Sequence, residues 1–430
     1  MIARLSPRLT NCLAASFAFA FLLQNPTDAQ AQSTIAKASD GENADIAVDP
    51  EGEETVWATQ ADVASPDKFF LPTIANLPNG NVASAVETFR AETVARLEQP
   101  YGMDFLPDGR LLVTEGTPGR LRIVEAGVLQ SEPVNAIPLG PELSDQFKRR
   151  LLDVAVHPTN GWIYLTSAEG LETGPGARLV LSRGHIRDNQ WVDGEILLQL
   201  DTPSTAGARI AFDPEGHVYV GTIDAEPEVE GGPNQAQDLS TPGGKILRLM
   251  PDGSVPPDNP FLDRQDAYPY VWAYGIRAPL GLAFDNEGRL WDSENGPRGG
   301  DELNLIQRGK NYGWPVITWG HPYDETPTVS RVDQEGMEQP VVSWTPSPAV
   351  AGAAYHHGGV FPNWEGSIFV TSLKQMTLYR ITFDGDRMNL METMLVGSDR
   401  LRDVDVDEAG RVYVITDGGT LFRLVPAEAD

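Results

Sequence analysis

One short stretch of the chain combines a cation, constrained backbone carbonyls and carboxylates. Arg277 lies in the segment Tyr-Gly-Ile-Arg-Ala-Pro, and Glu-Asn-Gly-Pro-Arg-Gly-Gly-Asp-Glu follows it closely. Gly296 and Pro297 offer two successive carbonyls in a turn, and Asp301 and Glu302 add carboxylates. A hard cation such as Ca²⁺ takes such oxygen ligands. The stretch therefore indicates a candidate cation site beside a fixed arginine, although solvated acids and a structural ion pair would give the same composition.

Basic side chains are scarce, because the 430 residues include 32 lysines and arginines against 61 aspartates and glutamates, a net charge of −29. This charge argues against nucleic-acid binding, which needs a basic surface, and against an anionic membrane surface. Arg400 and Arg402 are two residues apart, so that on a strand they share one face. Together with Lys374 they could hold an anionic ligand or form ordinary ion pairs.

A repeated pair of apolar strands, joined by a turn rich in Pro, Asp, Glu and Gly, would position these residues. Most turns contain Asp-Gly or Glu-Gly, which tolerate positive φ. Six copies occur, at 101–114, 151–165, 208–220, 281–291, 352–370 and 402–414. Further strands follow most copies, such as 120–124, 245–249, 378–381 and 421–424. The repeat predicts an all-β fold, a six-bladed β-propeller of four-stranded antiparallel blades whose inner strands converge on one channel.

The N-terminal region has two parts that we do not assign to the propeller. Residues 1–31 carry early arginines, an apolar run and the small-residue site Ala-Gln-Ala, which predict a signal peptide. The single cysteine, Cys12, lies within it, so we expect a periplasmic or secreted protein without disulfides and without membrane insertion after cleavage. Residues 32–86 predict an acidic flexible leader, part of which could instead add an edge strand, and 87–428 predict the propeller.

Five further motifs occur in chain order: Pro100-Tyr-Gly-Met, Leu151-Leu-Asp-Val-Ala-Val-His-Pro, Ala236-Gln-Asp-Leu-Ser with Gly244-Lys245, the stretch 274–315, and Ser372-Leu-Lys374. With these motifs, the chain over about residues 87–425 resembles the soluble PQQ-dependent aldose sugar dehydrogenases, the glucose/sorbosone dehydrogenase family. The resemblance implies a six-bladed propeller that oxidises an aldose sugar at the anomeric carbon, with pyrroloquinoline quinone (PQQ) taking the hydride, Ca²⁺ assisting, and a soluble electron acceptor.

The same resemblance implies roles for individual residues. Arg277 matches the arginine beside the reacting quinone carbonyl, and Asp224 matches an acidic residue near the substrate. The carbonyls of Gly296 and Pro297 match the ligands of the cofactor-associated Ca²⁺. Lys374, Arg400 and Arg402 match cofactor-binding positions. Glu302 and Tyr312 match ligands of a second, structural Ca²⁺, to which Tyr312 would contribute its backbone carbonyl.

The chain departs from the family pattern at the position of the general base. Thr205 stands where the family has a histidine, four residues before Arg209. A threonine hydroxyl has no accessible basic form near neutral pH. Three other family positions also differ, with Lys148 for a glutamine, Ala278 for an asparagine and Asn295 for a histidine.

Several expectations remain open after this departure. Another group could act as the base, with Asp224, His356 and His357 as candidates. Alternatively the protein binds PQQ and a different alcohol, with Lys148 as a further cofactor-side cation and the run 148–150 favouring an acidic sugar. A non-catalytic propeller that binds a sugar or a partner is a third interpretation. A metal-dependent lactone hydrolase is a fourth, because some six-bladed propellers hold a divalent ion in the channel.

Overall fold

The computed structural model describes residues 82–140, 150–170, 177–202, 207–224, 235–321 and 331–427. These residues form six antiparallel sheets, of which five have four strands and one has five. The prediction of a six-bladed β-propeller with four-stranded antiparallel blades is confirmed. The predicted signal peptide and the predicted leader up to residue 81 lie outside the described residues. None of the described residues forms a helix that is long and apolar enough to cross a membrane.

The strands are numbered in chain order. The first two are β1 (Val82–Ala83) and β2 (Thr88–Arg96). Blade 1 contains β3 (Pro100–Phe105), β4 (Leu111–Glu115), β5 (Arg120–Glu125) and β6 (Val128–Leu129). Blade 2 contains β7 (Leu151–Val156), β8 (Ile163–Gly170), β9 (Ala177–Arg187) and β10 (Gln190–Thr202). Blade 3 contains β11 (Gly207–Phe212), β12 (Val218–Thr222), β13 (Lys245–Leu249) and β14 (Val271–Tyr274).

The second half of the chain forms the other three blades. Blade 4 contains β15 (Pro279–Phe284), β16 (Leu290–Glu294), β17 (Asp301–Ile306) and β18 (Val342–Trp344). Blade 5 contains β19 (Val350–Tyr355), a 3₁₀ turn at Pro362–Trp364, β20 (Ile368–Ser372), β21 (Leu378–Asp384) and β22 (Arg387–Met394). Blade 6 contains β23 (Leu401–Val406), β24 (Val412–Thr416) and β25 (Thr420–Pro426). All six predicted hairpins are the two inner strands of a blade.

Blade 6 closes the ring, because β2 near the start of the described chain pairs with β25 at its end. Phe89 of β2 is fully buried and packs against the ring of Trp364 at 5.4 Å between centroids. The short strand β1 adds a fifth strand at the outer side of the same sheet. Blade 6 therefore contains strands from both the first and the last described residues, and the ring cannot open without breaking the hydrogen bonds between β2 and β25.

The six innermost strands (β3, β7, β11, β15, β19 and β23) contact one another around the central axis. Each pairs with its second strand through a register shift close to its first residue. Neighbouring blades cover both faces of each sheet, so that strands such as β4 and β12 are buried at every position and begin with apolar residues. The third residues of the six innermost strands are Gly102, Asp153, Arg209, Gly281, Gly352 and Asp403.

Candidate functional site

The candidate site residues gather at one edge of the propeller, which we call the upper edge. It is the edge at which the six innermost strands begin and the second strands end, and the opposite edge is the lower edge. Backbone hydrogen bonds tie neighbouring segments together here, as from Asp224 N to the Arg277 carbonyl at 2.8 Å and from Asp417 N to the Arg400 carbonyl at 2.9 Å. The structure thus brings together at the upper edge Asp224, Arg277, Gly296, Pro297, Lys374, Arg400 and Arg402.

Arg277 precedes β15 and its side chain is held in a defined place. The backbone N–H donates to Glu294 Oε1 at 2.5 Å, and Nη1 donates to the Asn295 carbonyl at 2.6 Å. The guanidinium carbon lies 5.4 Å from the centroid of the Trp314 ring. Only 8% of Arg277 is exposed. Asn295, one of the positions at which the chain departs from the family pattern, therefore contributes its backbone carbonyl to this arginine.

Asp224 follows β12 and lies next to Arg277, but its carboxylate points to other partners. Oδ1 accepts a hydrogen bond from Gln235 N at 2.6 Å, and Oδ2 accepts one from Trp314 Nε1 at 3.0 Å. Burial raises the pKa of Asp224 to about 6, against the lowering effect of those two hydrogen bonds. Only 2% of the residue is exposed, and both carboxylate oxygens already accept hydrogen bonds. Its role as a base stays a prediction.

Three sequence motifs interlock beside Arg277. The Gln237 side-chain amide donates to Asn311 Oδ1 at 3.0 Å and to the Trp314 carbonyl at 2.7 Å, while Asn311 Nδ2 donates to Gln237 Oε1 at 2.8 Å. Trp314 N donates to the Gly275 carbonyl at 2.8 Å. Gly275 has φ +75°, and a Cβ there would collide with Asn311 Oδ1 and Gly313 N. The glycine therefore permits the close approach of the motifs.

Arg400 and Arg402 share one carboxylate on the loop after β24. Arg402 makes a two-point ion pair with Asp417, with Nε–Oδ1 at 2.7 Å and Nη2–Oδ2 at 3.0 Å, and Arg400 Nε reaches Oδ2 at 2.9 Å. Burial lowers the pKa of Arg402, but the charge of Asp417 outweighs burial and raises it above the ordinary value. Arg402 is almost buried over the ring of Tyr101, whereas the Arg400 side chain is 44% exposed.

A buried ion cluster fills the propeller axis below these residues. Arg209 Nη1 lies 3.0 Å from Asp153 Oδ1 and 3.1 Å from Asp403 Oδ2, and Nε donates to the Leu280 carbonyl at 2.7 Å. The same guanidinium lies 5.0 Å from the centroid of the Tyr101 ring. Burial lowers the pKa of Arg209, but the two carboxylates more than offset this and raise it, so the arginine stays charged. The cluster joins the Arg277 side of the site to the Arg402 side.

Two further predicted cations lie on upper-edge segments away from Arg277, and two other predicted residues lie outside the described residues. Lys374 is exposed on the loop between β20 and β21, where its N–H donates to the Pro348 carbonyl at 2.9 Å. Arg150 precedes β7 at the upper edge, and its Nη2 donates to the Gly140 carbonyl at 2.9 Å. Thr205 and Lys148 both lie outside the described residues, so their predicted roles stay predictions.

The structure does not bring His356 or His357 to the upper edge. Both follow β19, whose end is at the lower edge, and their Nε2 atoms lie 3.0 Å from the carbonyls of Gly410 and Asp407 respectively. Burial lowers the pKa of His356 to about 4. The expectation that one of them faces the site fails because an innermost strand carries its last residues away from it. Of the six histidines, His321 alone lies on the upper side, where its carbonyl accepts a hydrogen bond from Arg298 N at 3.2 Å.

The turn that carries Gly296 and Pro297 joins β16 to β17. Gly296 N donates to Asp301 Oδ1 at 2.9 Å, and Asp301 Oδ2 accepts from Val350 N at 2.8 Å. A Cβ at Gly296 would collide with the Gly299 carbonyl, so the tight turn requires glycine. The carboxylate of Asp301 therefore holds the turn and blade 5 together, whereas the sequence analysis counted it among the carboxylates of the candidate cation site.

Glu302 belongs to a cluster of oxygen-bearing side chains on β16 and β17. The register pairs Asp292 with Asn304 and Glu294 with Glu302. Asn304 Nδ2 donates to Glu294 Oε2 at 3.3 Å and to Glu302 Oε2 at 3.2 Å. Within the described ranges, neither carboxylate oxygen of the fully buried Asp292, nor Asn304 Oδ1, has a hydrogen-bond partner. We call Asp292, Glu294, Glu302 and Asn304 the blade 4 oxygen cluster.

The electrostatics of the blade 4 oxygen cluster favour a bound cation. Burial raises the pKa of Glu294 to about 7, and burial together with the neighbouring carboxylates raises the pKa of Asp292 and of Glu302 well above the ordinary range. The charges of Asp292 and Glu294 also reach the buried phenol of Tyr312, whose pKa burial raises strongly. Buried carboxylates without partners are costly unless a metal ion or a proton neutralises them. The donor set of oxygens suits Ca²⁺.

Sequence analysis missed Asp292, Glu294 and Asn304 as members of this cluster. The sequence did contain a signal. Asp292 and Glu294 are two residues apart on one strand, and Glu302 and Asn304 are two residues apart on the next. Alternate residues of a strand share a face, and the two strands are neighbours in the hairpin. Four oxygen-bearing side chains on one face of a hairpin could together hold a cation.

The six-bladed β-propeller agrees with the comparisons to known proteins. The family model described as glucose/sorbosone dehydrogenase matches residues 97–423, and the chain belongs to this family. Aldose sugar dehydrogenase YliI of Escherichia coli (strain K12) is 35% identical over 352 residues, which cover 77% of this chain and 91% of that protein.

Solved structures of aldose sugar dehydrogenases are also similar to this chain. The apo-form of the soluble aldose sugar dehydrogenase from Escherichia coli matches with a TM-score of 0.71 and 31% identity, covering 79% of this chain and 100% of that one. The PQQ-bound form of aldose sugar dehydrogenase from Streptomyces coelicolor matches with a TM-score of 0.63 and 27% identity, covering 78% and 98% of the two chains.

Proposed function

We propose that the protein is a sugar oxidoreductase, a PQQ-dependent dehydrogenase that acts on a CH–OH group of an aldose sugar. The observation that carries this proposal is the grouping of Arg277, Lys374, Arg400 and Arg402 at the upper edge of a chain with a net charge of −29. A local cationic site in an acidic protein suits an anionic cofactor. The names of the related proteins support the same class of reaction.

The chemistry of the upper edge fits PQQ, a planar tricarboxylate with an ortho-quinone. Arginine forks and lysine ammonium groups pair well with carboxylates, so Arg400, Arg402 and Lys374 would hold the carboxylates of the cofactor, with the two arginines sharing or exchanging their ion pairs with Asp417. When bound, PQQ would supply the two-electron acceptor for the hydride of the sugar carbon. Arg277, fixed by its backbone and side-chain hydrogen bonds, would stabilise negative charge that develops at the neighbouring quinone oxygen.

The proposal also includes Ca²⁺ at two places. Carbonyls of Gly296 and Pro297 would hold the cofactor-associated ion, and the blade 4 oxygen cluster with Tyr312 would hold a structural ion. The orphaned oxygens of Asp292 support the second site. We further propose that residues 1–31 direct export to the periplasm or outside the cell, and that a soluble acceptor reoxidises the cofactor.

Calcium is expected to stabilise the protein through the blade 4 oxygen cluster. Addition of Ca²⁺ to chelator-treated protein should raise Tm, and saturation at 100 times Kd corresponds to about 2.7 kcal/mol. In Asp292→Asn we expect a smaller Ca²⁺-induced shift, while the calcium-free form keeps or gains stability because one buried charge is gone. The exposed Asp333→Asn serves as the control. An equal Ca²⁺ response in D292N and the wild type would contradict this assignment.

A second candidate function, a non-catalytic sugar-binding propeller, is favoured by Thr205 at the family's base position. The third, a metal-dependent lactone hydrolase, would need a divalent ion held by side chains on the axis. Arg209 already occupies the axis between Asp153 and Asp403, and its positive charge disfavours a metal ion there. We therefore rank the lactone hydrolase last.

Reconstitution separates these functions. The purified protein is incubated with PQQ and Ca²⁺, cofactor binding is followed by absorbance, and dye reduction is measured over a panel of aldoses and sugar acids. We expect binding at micromolar PQQ and turnover of at least one sugar. Absence of PQQ binding would overturn the dehydrogenase proposal. Binding without turnover would favour the non-catalytic function.

A further inference from the structure

We propose that Asp224 and Trp314 are positioning residues that fix the guanidinium of Arg277, an inference that rests on the proposed function. Each of these three residues contacts the other two. Asp224 N donates to the Arg277 carbonyl at 2.8 Å, Trp314 Nε1 donates to Asp224 Oδ2 at 3.0 Å, and the Trp314 ring lies under the guanidinium at 5.4 Å.

The indole is a rigid support because both of its ends are held. The backbone N–H of Trp314 donates to the Gly275 carbonyl at 2.8 Å, and the Trp314 carbonyl accepts from Gln237 Nε2 at 2.7 Å. At the other end, the bond from Nε1 to Asp224 sets the rotation of the ring. The carboxylate is itself anchored by Gln235 N. Trp314 is 9% exposed and cannot turn without breaking these bonds.

The ring face and the hydrogen bond to the Asn295 carbonyl both restrain the guanidinium. A guanidinium stacks on aromatic faces, attracted by the negative face of the ring. The Asn295 carbonyl accepts a hydrogen bond from Nη1 at 2.6 Å and so limits movement of the guanidinium along the ring. A displacement of about 1 Å in a group at a reacting centre can cost about 10²-fold in rate. Asp224 would thus act through Trp314 on Arg277 rather than by taking a proton from the substrate.

Paired tryptophan variants test this role in the PQQ- and Ca²⁺-loaded protein. We expect Trp314→Leu to lower kcat for dye reduction by about 10²-fold, with KM changed less than about threefold. Trp314→Phe retains an aromatic face but loses the Nε1 bond to Asp224, so it should recover only part of that loss. Trp319 lies in the same segment but is 43% exposed, so Trp319→Leu is a matched control that should leave kcat unchanged.

A spectroscopic readout tests the contacts without cofactor. The chain has nine tryptophans, and loss of one indole N–H resonance in the ¹⁵N spectrum of Trp314→Phe identifies Trp314. A hydrogen bond to a carboxylate shifts this resonance, so Asp224→Ala should move it, and Arg277→Met should move it through loss of the stacked charge. The resonance of Trp319 should not move in either variant.

The outcomes distinguish this inference from the proposed function. If the wild type turns over sugar but W314L and W319L retain equal kcat, the positioning role is overturned. An indole resonance that is insensitive to D224A overturns it as well. If the wild type binds no PQQ or shows no turnover, the dehydrogenase proposal fails, while the resonance shifts still decide whether Asp224 and Trp314 hold Arg277.

Discussion

Replacement of Arg209 by methionine is expected to lower the free energy of unfolding by about 3–5 kcal/mol, because removal of one partner leaves uncompensated buried charge. Arg209 is 4% exposed and is the cation that bridges Asp153 and Asp403 across the axis. Methionine fills a similar volume without charge or donors. The two carboxylates then face each other in a buried place, and the Leu280 carbonyl loses its donor.

The destabilisation of R209M should depend on pH with a definite sign. Burial raises the pKa of Asp153 and, to about 7, that of Asp403, while the charge of Arg209 opposes the rise. Loss of Arg209 raises both values further above those of the unfolded chain. Such groups contribute stability below the unfolded pKa and lose it as pH rises through the folded pKa. The deficit should therefore be smallest near pH 4 and largest above about pH 7.

Urea unfolding at several pH values measures this effect. Arg264→Met, which removes an exposed arginine paired with Asp266, is the control and should not change the midpoint measurably. The triple variant R209M/D153N/D403N removes the charges together and should recover part of the lost stability. A deficit in R209M that is independent of pH would show that lost packing, and not the uncompensated carboxylates, causes it.

The hairpins of the propeller were predictable because their determinants are local. An apolar strand, a turn with Asp-Gly or Glu-Gly and a second apolar strand specify a hairpin within one segment. The pairing of β2 with β25 joins segments more than 300 residues apart, from Thr88–Arg96 to Thr420–Pro426. No local pattern encodes such a pairing, and the closure of the ring therefore came from the structure.

The candidate site divides in the same way. Residues in recognisable motifs, such as Arg277 and Arg402, were predicted, and the structure brings them to one edge. Asp417 was missed because its partners come from the preceding innermost strand region, and their pairing depends on three-dimensional register. The prediction that His357 could act as the base was wrong. The sequence could have excluded it, because His357 follows an innermost strand, and such a strand ends at the lower edge. Trp314 was passed over since its orientation depends on Asp224, a residue of another blade.

Introduction of the family's base is expected to have the largest effect on activity. Thr205→His should raise kcat for sugar oxidation by about 10²–10⁴-fold, the usual contribution of a positioned general base. Among the described residues, Asp224 has both oxygens engaged and His357 lies at the lower edge, which leaves the exposed His321 as the one histidine on the upper side. Thr205 itself lies outside the described residues, so the expectation rests on its place in the motif before Arg209.

The pH profile of T205H distinguishes a new base from a general improvement. A histidine of ordinary pKa, about 6.5, acts as a base only when neutral, so kcat should rise with pH through that region in T205H. Thr205→Gln, which has similar bulk but no basic form, should not gain activity. A wild type already as fast as T205H would contradict the prediction and would mean that another base operates. The exposed His321 would then be the first residue to replace, because it is the only histidine on the upper side.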